Sequence, residues 1–203
     1  GLIVHSKGTI FSLAISALLR PTASVPLARW LWLPLLTGLA VADGLRMACG
    51  VDTELKWPND VLIGGRKVCG ILTERVESPK NRTVGHGETL PAVIIGMGIN
   101  TTLTREQLPV PTATSLALEG ARCTPTEVVL EVLRALEQGY RRWVDGGDLR
   151  AWFAQRCSTV GRQVRVQQSE TQHVDGLALG VDEWGRLLVR TLVGELTVAN
   201  EAT

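Results

Sequence analysis

The chain has 203 residues, 45% hydrophobic and 20% charged, with 21 Lys+Arg against 20 Asp+Glu. These figures suit one globular domain with an appendage and exclude a disordered tail or a fibrous protein. A formal charge of +1 leaves no broad electrostatic footprint for nucleic acid or an acidic membrane surface, while a small local basic cluster stays open.

In chain order, Ile10 to Leu19 reads as a strand, ended by Arg20-Pro21 because proline cannot donate to a ladder. Ser24 is a candidate cap and Pro26 a candidate first-turn residue for a long buried helix over Leu27 to Cys49, or beginning only at Pro34. Gly50 stands where a helix C-terminal glycine is expected. The most apolar run, Trp30 to Ala42, is 13 residues long, short of the roughly 20 that a bilayer needs. A core helix is the expectation, and the opening GLIVHSK lacks the length and cleavage signal of a secretory peptide.

Short strands come next. Thr53 to Trp57 runs into the turn Pro58-Asn59-Asp60. Val61 to Ile63, Gly64-Gly65 and Lys67 to Glu74 form a hairpin. Residues 78–89 are polar and read as a loop, and Ala92 to Asn100 is a continuous apolar run, hence a buried strand. Thr124 or Thr126 caps an amphipathic helix ending near Val144, and Thr124 with Glu127 has the capping-box form. A shorter helix spans Leu149 to Cys157. From Gly161 onward, alternation and turns predict four or five short strands, a small β-barrel.

Cys49, Cys69, Cys123 and Cys157 are widely spaced, as are His5, His86 and His173. Neither a zinc site nor a disulfide framework has this spacing. The expectation is four reduced core cysteines, a cytoplasmic protein and no side-chain metal site.

The chemistry concentrates in Lys56-Trp57-Pro58-Asn59-Asp60, in Lys67 eleven residues after Lys56, in Gly70-Ile71-Leu72, and in Gly98-Ile99-Asn100. Lys56 ends a strand expected to be buried, where an ammonium costs desolvation unless an anion neutralises it. A solitary lysine in such a place more often reaches solvent or pairs with a neighbour such as Glu54 or Asp60. Here Pro58 stiffens the loop, Asn59 and Asp60 add fixed polar groups, and Gly70 and Gly98 allow close backbone approach to a ligand. Turn formation by Asn59 and Asp60, and bulges at Gly70 and Gly98, account for the same residues without a ligand.

KWPND, GRKVCGIL and IIGMGIN closely resemble the catalytic domain of biotin–protein ligases. The likeness extends to SLAISALLRP, to ATSLALEG at 113–120, to the helix pair and to the C-terminal strands. It implies an α+β fold of the class II synthetase-like kind: a mixed β-sheet packed by helices over 1–158, N-terminally incomplete, with a small SH3-like β-barrel over 159–203. It implies a ligase that activates biotin with ATP, accompanied by Mg2+, to biotinyl-5′-AMP. The biotinyl group then passes to a lysine of a biotin carrier domain of a carboxylase.

By the same resemblance Lys56 is catalytic, placed between the biotin carboxylate and the α-phosphate. Asn59 and Asp60 orient Lys56 or help hold metal and phosphate. Lys67 contacts the adenylate or fixes the hairpin. Gly70 allows ligand approach, Gly98 and Asn100 line the adenine or biotin pocket, and Trp57 supports the site or forms one wall. Neither nucleic acid nor membrane is an expected partner, and self-association as a homodimer through a sheet edge is within the family's range.

The resemblance has a gap. The family carries an upstream loop of the form GRGRxGR, with a tryptophan and a serine after it, and Ser6-Lys7-Gly8-Thr9 resembles the segment on the C-terminal side of that loop. The chain is therefore expected to be an incomplete form with weak or no activity of its own. Two alternatives stand beside the ligase: a non-catalytic biotin-binding module, and a lipoate or octanoyl transferase relative.

Overall fold

The computed structural model describes residues 3–8, 11–76, 91–167, 173–191, 193–194 and 196–199. The expected start of the first strand at Ile10 and the expected loop at 78–89 lie outside these residues. Among the described residues, ten strands, two 3-10 turns and three helices succeed one another. Strand β1 is Ile3–Gly8 and β2 is Ser12–Leu19. A 3-10 turn at Leu27–Leu31 leads into helix α1, Trp32–Cys49. Strands β3 (Glu54–Lys56), β4 (Asp60–Ile63), β5 (Arg66–Val76) and β6 (Ala92–Asn100) come next. Helices α2 (Pro125–Val144) and α3 (Arg150–Ala154) precede β7 (Gln163–Gln167), β8 (His173–Val181), β9 (Leu187–Thr191) and β10 (Leu196–Ala199).

The first six strands form one sheet in the order β1-β2-β6-β5-β4-β3, and the last four form a small antiparallel sheet in the order β10-β9-β8-β7. The ladders of the large sheet are antiparallel, and two parallel bridges, Leu55 with Cys157 and Lys67 with Ala113, add its mixed character. Alternation decides which face is buried. Leu13, Ile15, Ala17 and Leu19 of β2 point inward with Val93, Ile95, Met97 and Ile99 of β6. Helix α1 covers this apolar face. A Cβ built on Gly38 would stand 3.3 Å from Leu55 Cδ2, so helix and sheet touch there.

Helix α1 is buried around most of its circumference because α2 lies on its other side. With the preceding turn it makes 23 continuous residues, Leu27–Cys49, apolar and long enough by composition to cross a membrane. That run is longer than the expected 13 residues, yet 67% of its most apolar window is buried inside this fold, as in a core helix. The antiparallel crossing of α1 and α2 requires small residues. A Cβ on Gly44 would fall 2.6 Å from the Val132 backbone. Thr124 caps α2 by accepting from the Glu127 amide, and Glu127 accepts in return from the Thr124 amide at 2.7 Å.

Two expectations need correction. Cys49 and Cys123 are joined as a disulfide, with Cα atoms 5.1 Å apart and a sequence separation of 74. Sequence distance hides the pairing, because the antiparallel helices bring the end of α1 to the start of α2. Cys69 and Cys157 are free and buried, as expected. Cysteine usage therefore no longer argues for a reducing compartment. The second correction concerns the chain start: β1 pairs with β2 through Ile3↔Leu18 to Gly8↔Leu13, a strand that the sequence pattern did not suggest.

Candidate active site

The face of the large sheet away from α1 is open and carries mostly small residues. Ser12, Ala14 and Ser16 of β2 lie there with Gly96, Gly98 and Asn100 of β6. Register aligns one row across five strands: Ala14, Gly98, Gly70, Asp60 and Lys56. At its centre two glycines meet, and a Cβ on Gly98 would have the Gly70 carbonyl oxygen as its nearest neighbour, at 3.9 Å. The row is a backbone floor on which a flat ligand can lie, with a cation at one end.

That cation is Lys56, and it is exposed rather than buried. The physical reason is alternation along β3: Leu55 turns into the core and is 2% exposed, so Lys56 beside it turns to the open face. What is fixed is the backbone on either side of it. Leu55 donates to the Arg156 carbonyl at 2.8 Å and its own carbonyl accepts from the Ser158 amide at 2.7 Å. The Trp57 amide donates to Thr159 Oγ1 at 3.0 Å. Trp57 itself is 3% exposed, follows Lys56 into a cis peptide bond with Pro58, and donates its indole N–H to the Gly185 carbonyl at 3.1 Å. It stands beneath the site and ties it to the small sheet. Asn59 is pinned to β5 twice, its side chain donating to the Ile71 carbonyl and its carbonyl accepting from the Ile71 amide, both at 2.9 Å.

Asp60 lies opposite Lys56 in the ladder, but its carboxylate pairs with the Lys67 ammonium. Lys67 reaches it by crossing over Gly70, where a Cβ would stand 3.1 Å from the lysine Cε and Nζ. Lys67 is also bonded by its backbone to the 112–114 segment, donating to the Thr112 carbonyl and accepting from the Thr114 amide, each at 2.8 Å. Asn100 turns to that same segment and donates to the Thr114 carbonyl at 2.9 Å.

A cleft of about 430 Å³ opens where the row meets the small sheet; Lys56, Asp60, Lys67, Thr112, Thr159 and Arg162 border it. Of the residues singled out in the sequence, Lys56, Asp60 and Lys67 come together at this cleft, and Gly70 and Gly98 continue the floor beside it. Trp57, Asn59 and Asn100 act as supports through the bonds given above. Sequence reasoning missed Ser158, Thr159 and Arg162 because nothing in CSTVGR signals proximity to Lys56. It also missed Arg66 and Glu119. Arg66 donates to Glu119 Oε1 at 2.7 Å, while Thr114 donates to the same oxygen.

Charge states reflect these contacts. Burial pushes Glu119 up, but the Thr114 and Arg66 hydrogen bonds and the Arg66 charge outweigh it and hold its carboxyl below its ordinary value. Burial pushes the Cys69 thiol up to about 12, so this neighbour of Gly70 is no nucleophile. Among the described residues no three His, Cys, Asp or Glu side chains gather in a metal-holding cluster.

Residues 1–100 match the Biotin/lipoate A/B protein ligase family, and residues 159–200 match the Biotin protein ligase C terminal domain. A Biotin--[acetyl-CoA-carboxylase] ligase of Mycobacterium tuberculosis is 36% identical over 183 residues, covering 88% of this chain and 63% of that protein. One of the same name from Paracoccus denitrificans is 31% identical over 179 residues, covering 82% of this chain and 69% of that protein. A bifunctional ligase/repressor of Bacillus spizizenii is 33% identical over 186 residues, covering 89% of this chain and 54% of that protein. Among solved structures, the biotin protein ligase from Aquifex aeolicus in complex with biotin and ATP superposes with a TM-score of 0.73 at 25% identity, covering 94% of this chain and 76% of that one. The chain thus spans less than two thirds of the length of the Mycobacterium and Bacillus relatives.

Proposed function

The chain belongs to the biotin/lipoate A/B protein ligase family, and from that premise we propose that it is the catalytic portion of a biotin–protein ligase. In the first step the biotin carboxylate attacks the α-phosphorus of ATP, the bond to the β-phosphate breaks, and biotinyl-5′-AMP and pyrophosphate form. In the second, a lysine amine of a carrier domain attacks the activated acyl carbon, AMP leaves, and the amine loses its proton. The C-terminal match supports the biotin branch over the lipoate branch.

The observation that carries this reading is the row Lys56–Asp60–Gly70–Gly98, a cation at the edge of a glycine-lined floor that the Lys67 side chain crosses at Gly70 to reach Asp60. Two anions, a carboxylate and a phosphate, repel as they approach. An ammonium between them offsets that repulsion and stabilises the charge that grows on the phosphoryl oxygens. Lys56 has that role. Because Asp60 answers Lys67, Lys56 is left with its charge for the substrate. Gly70 and Gly98 admit the flat part of a substrate, biotin's ring system or adenine. Trp57, Asn59 and Asn100 contribute by position. Mg2+ brought with ATP would neutralise part of the polyphosphate, and the Asp60 carboxylate would help to hold it.

The carrier domain of a carboxylase is the macromolecular partner in this proposal, self-association runs through a sheet edge, and the setting is the cytoplasm, on the ground of its substrates. The test is biotin-dependent pyrophosphate release from ATP, with mass spectrometric detection of biotinyl-5′-AMP. Adenylate formed with biotin supports the reading. Biotin binding with no pyrophosphate release replaces it with a binding module, and preference for lipoate replaces it with the lipoate branch.

A further inference from the structure

Lys56 is placed by its backbone, and the outer edge of that backbone is held by a short segment just after α3. Strand β3 has three residues and β4 as its neighbour in the sheet. On its other side a single parallel rung, Leu55 with Cys157, stands in for a strand. There the Leu55 amide donates to the Arg156 carbonyl at 2.8 Å. The Leu55 carbonyl accepts from the Ser158 amide at 2.7 Å and from the Ser158 hydroxyl at 3.1 Å. Burial of the Leu55 and Trp57 side chains presses the strand onto the core. It does not fix the strand within the plane of the sheet; hydrogen bonds along both edges do that.

The rung holds Lys56 only as firmly as the segment itself is held, and Arg156 is its anchor. The guanidinium pairs with Asp43 of α1, the helix that covers the apolar face of the sheet, and stands 5.8 Å from the centre of the Trp152 ring of α3. Each side chain of this pair is 29% exposed, against 52% and 58% in the neighbouring Arg150–Asp148 pair, so solvent screens it less. Arg156 thus carries the link to α1 on its side chain and the link to Leu55 on its carbonyl. The path from Asp43 is continuous: carboxylate, guanidinium, Arg156 carbonyl, Leu55 amide, with Lys56 next in the chain.

We propose that Arg156 is a positioning residue for Lys56, its pairing with Asp43 setting where the Lys56 ammonium stands beside the glycine floor. This rests on the reading of Lys56 as the group between the carboxylate and the α-phosphate. Arg156 acts through Leu55 and not on the substrate. Lys56 offsets charge that grows in the transition state. A displaced ammonium therefore lowers kcat and leaves ground-state binding of ATP and biotin nearly as it was.

Steady-state kinetics of biotin-dependent pyrophosphate release test this. Arg156→Ala and Asp43→Asn should each lower kcat roughly ten-fold, with KM for ATP and for biotin within about two-fold. Arg156→Lys should recover part of the loss, and the double variant Asp43→Asn with Arg156→Ala should be no slower than Arg156→Ala. Arg150→Ala, in the exposed pair of the same helix, should leave kcat unchanged. On a Lys56→Ala background, Arg156→Ala should cause no further loss, a coupling that general loosening of the fold would not give. Amide exchange followed by NMR reads the frame without turnover: Leu55 and Trp57 should exchange faster in Asp43→Asn, with the amides of β6 unchanged. Thermal unfolding checks each variant, and the near-isosteric Asp43→Asn carries the test if Arg156→Ala does not fold. Unchanged kcat in the single variants, a further loss on the Lys56→Ala background, or unchanged exchange at Leu55 overturns the proposal. Faster exchange at Leu55 in a chain without biotin-dependent pyrophosphate release upholds the frame and defeats the ligase reading.

Discussion

Trp57 and Gly185, 128 residues apart in the chain, are joined by a hydrogen bond from the buried indole N–H to the glycine carbonyl. Gly185 has φ +87 and lies so close to α1 that a Cβ there would stand 3.0 Å from Leu35 Cδ1, so no other residue suits this turn. Trp57→Phe keeps the ring but strands the Gly185 carbonyl. It should lower stability by about 1–3 kcal/mol in urea unfolding and reduce adenylation through the displaced Lys56. An unchanged urea midpoint would remove the bond from any structural role.

Lys56→Ala separates chemistry from folding. The side chain is exposed, so stability should move by about 0.5 kcal/mol or less. Biotin-dependent pyrophosphate release should fall by roughly a hundred- to a thousand-fold. A variant that retains turnover refutes the assigned role.

Glu119 should set an acid limit on the 112–119 segment. Its folded carboxyl lies below its ordinary value, so the stabilisation is complete above the ordinary value, about 4.3, and is lost as pH falls through the depressed one. Glu119→Gln should flatten that limb of a urea-midpoint against pH curve while lowering the plateau near neutrality. Parallel curves for the two proteins would count against it.

The Cys49–Cys123 disulfide closes a long loop between the two large helices. Reduction, or Cys123→Ser, should cost about 4 kcal/mol of stability, read in urea with and without reductant. Cys69 offers a control. Buried and with its thiol pushed up to about 12, it should resist iodoacetamide at pH 8 in the native protein and react only after unfolding.

Local signals were legible wherever one element decides its own form. The unbroken apolar run of Ala92–Asn100 and the Thr124–Glu127 capping box correspond to elements with the expected limits. The glycine after α1 takes the left-handed conformation that closes a helix. What depends on distant partners was not legible. Cys49 meets Cys123 only because two helices run antiparallel, and Lys56 is exposed because no element among the described residues covers the face of the sheet to which it turns. The motif from Lys56 to Asp60 names residues of the site but not their division of labour. Nothing within it tells that Asp60 serves Lys67, that Trp57 faces a turn of another sheet, or that Thr159 and Arg162 stand alongside.

The two bonds that Leu55 makes to Arg156 and Ser158 carry a consequence for biosynthesis. As the chain leaves the ribosome, β4 can pair with β3 on one side almost at once, but the other edge of β3 waits for a segment about a hundred residues later. Until then the strand that holds Lys56 keeps an unpaired edge, with Trp57 lacking the carbonyl it will bind. Closure at Leu55 is thus a late, long-range event, and a ribosome-bound chain that stops short of residue 156 carries the motif without the frame that orients it.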